Sequence, residues 1–178
     1  LLTAQQYERA SAMICACDLI RKEHEELFGK NRITIGLWVG SSTTPNSVKE
    51  AVKAYEKLYR GEGNNPFVML KCPWCGAQMG PVMKGNNLWD LPGYRKVPGP
   101  RRSFGFAFRC KNQACDFSHE DLPLYVIDEY IYEKTPTLLL GTVDKFAMLP
   151  FRPQAQSIFG FENGEKKTSP DLIIQDEL

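Results

Sequence analysis

Ile33-Thr34-Ile35-Gly36-Leu37-Trp38-Val39, followed at once by Gly40-Ser41-Ser42-Thr43-Thr44-Pro45, is the stretch that decides the fold. β-Branched and apolar residues occupy both phases of the alternation, so a strand here must be covered on both faces, the condition of a parallel sheet lying between helices. The glycine- and hydroxyl-rich run then turns the chain out of the sheet. A helix follows from about Pro45 to Tyr59, with Thr44 as N-cap and Pro45 at its first position, or with Ser47 and Glu50 as a capping box further on. Upstream, residues 1 to about 28 read as one helix with a charged tail and Gly29 as its C-cap.

The same pattern returns downstream. Leu124-Tyr125-Val126-Ile127 reads as a short strand and residues 128–133 as a short polar-aromatic link. Thr137-Leu138-Leu139-Leu140-Gly141 is a continuous apolar strand, and residues 142–149 a short helix stopped by Pro150. Residues 151–169 read as an excursion before a last buried strand over 171–178, which carries Asp176 and Glu177 at its C-terminal end. Strands alternating with helices predict an α/β fold: a partial parallel sheet with helices packed on it. Between the two blocks, from Phe67 to about Asp121, the chain changes character, with short alternating runs, many Gly and Pro, and no long amphipathic helix. The expected organisation is 1–66 as the first part of the α/β lobe, 67–121 as a small insert, and 122–178 as the continuation of the lobe.

Length and composition suit one domain with such an insert: 178 residues, 43% of them apolar. No apolar run approaches the ~18–20 residues of a membrane-spanning helix. No signal peptide is visible, and Leu1-Leu2-Thr3-Ala4-Gln5-Gln6 already reads like the inside of a helix, so both ends are expected to be cut from something longer. The net charge of +1 neither demands nor excludes nucleic acid.

Six cysteines need sorting. Cys15 and Cys17 lie in an apolar helical stretch, where core packing is expected for at least one. Cys72-Pro73-Trp74-Cys75-Gly76 is a knuckle whose two-residue gap turns both thiolates onto one ion, and Cys110 and Cys115 form a looser second half. Without a secretory signal, a structural Zn²⁺ held by Cys72, Cys75, Cys110 and Cys115 is favoured over two disulfides, and also over unligated cysteines or an iron or redox site. The result is a Cys₄, zinc-ribbon-like insert that draws folding energy from the metal. His119 reads as a solvated surface histidine rather than a fifth candidate ligand.

Asp176 and Glu177 have two readings from the residues themselves. They are a solvated strand end, or, at the carboxyl edge of a parallel sheet, a pair that holds Mg²⁺ and orients an attacking water in nucleoside-triphosphate hydrolysis. Four stretches in order resemble a superfamily 2 helicase motor domain. Leu2-Thr3-Ala4-Gln5-Gln6-Tyr7-Glu8-Arg9 is similar to the helix after motif Ia, and Ile35-Gly36-Leu37-Trp38-Val39-Gly40 to the strand and glycine turn that follow. Pro136-Thr137-Leu138-Leu139-Leu140-Gly141-Thr142-Val143-Asp144-Lys145-Phe146 is similar to motif Ib and its helix. Ile173-Ile174-Gln175-Asp176-Glu177-Leu178 is similar to motif II, the DExH box, without its final histidine. The resemblance is closest to the helicase-related ATPases typified by protein A of DISARM phage-defence systems.

The resemblance implies part of the first RecA-like lobe of an ATP-dependent DNA helicase or translocase in prokaryotic, cytoplasmic anti-phage defence, working with other subunits of a defence complex. It implies ATP and Mg²⁺ at Asp176, with Glu177 activating water. It also implies phosphate-backbone contacts to DNA, single-stranded or with a single-stranded end, from Gly40, Ser41, Gly141 and Thr142, and from Gln6 and Arg9 on the first helix. The phosphate-binding loop would lie upstream of residue 1 and motifs III to VI beyond residue 178, so the segment alone is expected to be inactive and to fold poorly. The alternative is a zinc-containing nucleic-acid or protein binding module without ATPase activity. Lys96, Arg101, Arg102, Arg109 and Lys111, interleaved with aromatics, leave open a DNA-guiding surface on the insert or a docking face around residues 80–120, although the aromatics read better as a mini-core.

Overall fold

In the computed structural model, which describes residues 2–85, 89–162, 165–166 and 168–175, Ile35–Trp38 forms strand β1, buried along its whole length. It lies between two parallel neighbours, β6 (Leu124–Tyr125) and β7 (Leu138–Gly141), in the order β6-β1-β7. Trp38 of β1 is in register with Gly141 of β7, so both strands end at one carboxyl edge. Gly36 fits only because it lacks a side chain: a Cβ there would stand 2.8 Å from Pro136 and 2.9 Å from Leu139. The mixed α/β architecture with a parallel sheet is the one the sequence predicts.

Helix α1 (Leu2–Glu23) packs on the sheet and runs antiparallel to its strands. Its early residue Tyr7 donates to the Tyr125 carbonyl at 3.4 Å, while its late residue Asp18 reaches the entrance of β1. Asp18 is buried, and its carboxylate accepts from Arg21 Nε at 2.9 Å, from Arg32 Nε and Nη2 at 2.9 and 2.7 Å, and from the Ile33 N–H at 3.0 Å. Burial alone would raise the Asp18 pKa, but the two guanidinium groups overcome it and hold the carboxyl below its usual range. The helix expected over 1–28 breaks at His24, and a separate turn, α2 (Glu25–Phe28), ends at Gly29 with φ +76°. Helix α3 (Val48–Tyr59) starts at Ser47 with the reciprocal Ser47–Glu50 capping box. Of the two starts the sequence allowed, this one satisfies two otherwise unpaired N–H groups at once.

The segment expected to be a polar-aromatic link is helix α4 (Asp128–Lys134). Tyr and Ile are indifferent helix formers, so tertiary contacts set this helix. The Asp128 and Glu129 N–H groups donate to the Pro45 and Asn46 carbonyls, and Ile131 is fully buried. Strand β7 leads into α5 (Val143–Ala147), and 3₁₀ turns over Leu149–Phe151 and Pro153–Phe159 follow. The expected last buried strand is a correction: residues 171–175 form no strand, with Leu172, Ile173 and Ile174 exposed at 75, 65 and 77%. An apolar run becomes a strand only where an edge and a covering face receive it, and residues 171–175 pair with neither β6 nor β7, the outer strands of the sheet. Asp176 and Glu177 lie outside the described residues.

In the insert, β2 (Val82–Met83) pairs antiparallel with β3 (Trp89–Asp90), and β4 (Tyr94–Pro98) with β5 (Phe104–Phe108). Phe67 stacks on Phe106 with centroids 4.0 Å apart, and Tyr94 and Phe108 close the group edge-on. This aromatic cluster is continuous with the core formed by Tyr7, Ile14, Ile35 and Leu37. Each such buried side chain contributes about 1.5–3 kcal/mol relative to exposure.

Candidate functional site

Two places concentrate chemistry. The first is the cysteine cluster. Cys72 and Cys75 sit on a tight turn closed by Gly76 N–H to the Cys72 carbonyl (2.9 Å) and by Cys72 N–H to the Ala77 carbonyl (2.8 Å). Gly76 holds φ +75°, where a side chain would be strained. On the second half, the Cys115 N–H donates to Asn112 and the Cys110 N–H to Phe117. Trp74 Nε1 donates to Asp116 at 2.6 Å and its ring meets Phe117 edge-on, which joins the halves.

The four Sγ atoms all lie within 4.8 Å of one another, with Cys75–Cys110 at 3.5 Å and Cys72–Cys115 at 4.0 Å. Tetrahedral Zn–S bonds of ~2.3 Å give a sulfur–sulfur edge of about 3.8 Å, whereas a disulfide needs about 2.05 Å. All six cysteines are free thiols. Burial pushes the Cys72 thiol up to about 11 and raises that of Cys115 as well. At Cys75 burial is outweighed by hydrogen bonds from the Ala77 N–H, Cys110 and Asn112, which bring it down to about 7. Four sulfurs this close favour the thiolate state only with a cation among them, and the donor set fits Zn²⁺. Four protein sulfurs would fill a tetrahedral coordination sphere, the pattern of structural rather than catalytic zinc sites. His119 is exposed and stands outside the cluster. Of the other pair, Cys15 is fully buried and Cys17 half-buried.

Four basic residues of the insert are in ion pairs. Lys96 meets Glu56 at 2.7 Å and lies over the Phe104 ring, Lys84 and Lys111 share Asp90, and Arg109 meets Asp121 at 2.8 Å. Phe106, Phe108 and Tyr94 are core. Three of the six interleaved aromatics thus pack in the core, whereas Trp74 and Phe104 are exposed and Trp89 is half-buried, and these ion pairs reduce the charge a guiding surface would offer.

The second place is the carboxyl edge of the sheet. Gly40 and Ser41 are exposed in the turn after β1, where the Thr43 N–H donates to the Gly40 carbonyl at 2.9 Å. Gly141 and Thr142, half-buried, form the turn after β7. The Thr142 N–H is committed to the Trp38 carbonyl at 3.2 Å, while its side chain makes no capping hydrogen bond, so the hydroxyl is the group left to offer. Because β1 and β7 are adjacent and in register, the two turns lie side by side. Gln6 and Arg9 are exposed on the half of α1 nearer this edge. Asp176 and Glu177, the expected Mg²⁺ and water residues, lie outside the described residues.

Sequence reasoning missed the group beneath these turns. Asp128, at the start of α4, takes the Lys145 ammonium of α5 and the Tyr132 hydroxyl (3.3 Å) on one carboxylate oxygen. Tyr132 in turn accepts from Trp38 Nε1 at 3.1 Å, and Lys145 also donates to Asn46 Oδ1 at 3.4 Å. Both members of the ion pair are buried, at 5% and 12% exposure. Burial raises the Asp128 pKa and the Lys145 ammonium opposes the rise. The other carboxylate oxygen and Thr44 Oγ1 are buried without a hydrogen-bond partner among the described residues. Asp128 follows β6 and Lys145 follows β7, and no spacing in the sequence signals that the two meet.

An α/β protein with a parallel sheet and a four-cysteine insert is the class these features define. No protein-family profile matches the chain. Along its whole length the chain is 32% identical, over 218 residues, to part of the DISARM protein DrmA of Bacillus paralicheniformis, and it spans 18% of that protein's length. The chain is thus related to a segment of DrmA. Among the described residues no helix is long and apolar enough to cross a membrane.

Proposed function

We propose that this chain is part of the first RecA-like lobe of an ATP-dependent DNA helicase or translocase that acts in prokaryotic anti-phage defence. The observation that carries the reading is the whole-length similarity to DrmA of a DISARM system. The parallel sheet, with two Gly-containing turns side by side at its carboxyl edge, is where an α/β protein binds ligands and supports the same reading. In it, Asp176 holds Mg²⁺ and ATP and Glu177 activates water, in the cytoplasm and alongside other subunits of a defence complex. Gly40, Ser41, Gly141 and Thr142, with Gln6 and Arg9 beside them, meet the phosphates of a DNA strand without reading its sequence. Residues 67–121 are an insert braced by structural zinc within a lobe formed by 1–66 and 122–178.

Steady-state ATP hydrolysis by the full-length protein, with and without single-stranded DNA, tests the proposal. DNA-stimulated turnover is expected from the full-length protein and none from the 178-residue segment. Comparable turnover by the segment contradicts it. The four-cysteine cluster favours a second reading, a zinc-bearing binding module without ATPase activity. A full-length protein that binds zinc and DNA but hydrolyses no ATP selects that reading.

A further inference from the structure

The geometry points to Asp128 and Lys145 as positioning residues that set the spacing between the turn after β1 and the turn after β7, and so the grip on a single DNA strand; this rests on the motor reading above. Two turns that share one backbone strand must keep a fixed separation, and the backbone links the turn after β7 to β1 at the strand end, through the Thr142 N–H on the Trp38 carbonyl. Among the described residues, Asp128 and Lys145 join them directly. Lys145 belongs to α5, next to Asp144 and three residues from Thr142, and its ammonium bonds both Asp128 and Asn46 Oδ1. Asn46 belongs to the turn after β1. Asp128 is anchored to that same turn by its own N–H, which donates to the Pro45 carbonyl at 3.3 Å.

The joint is held from below as well. Tyr132 bridges Asp128 to Trp38, whose carbonyl accepts the Thr142 N–H. Phe146 packs on Trp38 with centroids 5.2 Å apart, and a Cβ at Gly141 would come within 3.2 Å of the Phe146 ring and 3.4 Å of Trp38. Lys145 is too buried to serve first as a phosphate contact, and a buried ion pair is better suited to fixing one geometry than to adding stability. Neither residue touches DNA in this proposal; both act through the turns.

The test uses the full-length protein and a fluorescein-labelled single-stranded oligonucleotide of mixed sequence, with affinity measured by anisotropy across a salt series. The double variant Asp128→Asn with Lys145→Met removes the pair without leaving one buried charge alone. It is expected to lose about 3- to 30-fold in affinity, with zinc content and the salt dependence of binding unchanged. Lys145→Arg, which keeps the charge, is expected to restore part of the affinity in the Asp128 background. Asn46→Ala, a half-buried polar site, covers the case in which the double variant does not fold, and is expected to weaken binding with the same salt dependence. Unchanged affinity in a folded variant overturns the proposal. A salt slope lower by ~0.7 overturns it in another way, because it means that Lys145 itself neutralises a phosphate. If the wild-type protein has no affinity for the oligonucleotide, the motor reading falls and takes this proposal with it, an outcome separable from the others.

Discussion

The Tyr130 hydroxyl accepts a hydrogen bond from the Phe106 N–H at 3.2 Å, which fastens α4 of the sheet to β5 of the cysteine insert. Successive faces of α4 therefore serve different neighbours. Tyr130 holds the insert, Ile131 fills the space under Gly36, and Asp128 and Tyr132 reach the carboxyl edge.

Tyr130→Phe removes the acceptor and leaves the Phe106 N–H without it, at a cost of about 1 kcal/mol. Hydrogen exchange in the full-length protein is expected to quicken at β5 and α4 while α1 stays unchanged. The same contact restricts Gly105, where a Cβ would stand 2.6 Å from the Tyr130 oxygen, so Gly105→Ala is expected to quicken exchange in the same two elements.

Zinc analysis of the purified protein under reducing, metal-replete conditions is expected to give about one equivalent bound at this cluster. Cys110→Ser is expected to lose it and to open residues 67–121 to limited proteolysis, since an insert with few helices relies on the metal for order. Zinc below about half an equivalent contradicts the assignment.

Asp18→Asn is expected to cost about 3 kcal/mol near neutral pH, because Arg21 and the entrance of β1 lose a buried charged partner. The folded-state pKa of Asp18 is depressed, so the wild-type advantage is complete above the unfolded carboxyl value near ~3.9. It fades as pH falls below that value and through the lower folded one. Hydrogen exchange across α1 and β1, compared at neutral and acid pH, reads the difference.

Gly36→Ala places a methyl group 2.8 Å from Pro136 and 2.9 Å from Leu139. Overpacking of this kind costs about 1–3 kcal/mol. The expected outcome is a lower melting temperature with zinc content intact.

Much of the sheet was legible because its signals are local. The β-branched run at 33–39 and the leucines at 138–140 declare strands covered on both faces, and Ser47 with Glu50 declares where α3 begins. The cysteine pairs were legible because ligand spacing is itself a local code. α4 was not, since Asp128-Glu129-Tyr130-Ile131 becomes helical through carbonyls more than eighty residues earlier in the chain, at Pro45 and Asn46. The Asp128–Lys145 pair was hidden for the same reason: a crossover between parallel strands brings the two together, and no spacing rule announces it. At Leu172–Ile174 composition alone suggested a buried strand, but burial depends on a partner surface that composition does not describe.

Glu177→Gln in the full-length protein tests the central claim most directly, with ATP turnover measured in the presence of saturating single-stranded DNA. A lost water-activating carboxylate should lower turnover by about 100-fold or more while ATP binding and zinc content persist. Wild-type turnover in that variant contradicts the assignment of this chain to an ATPase centre.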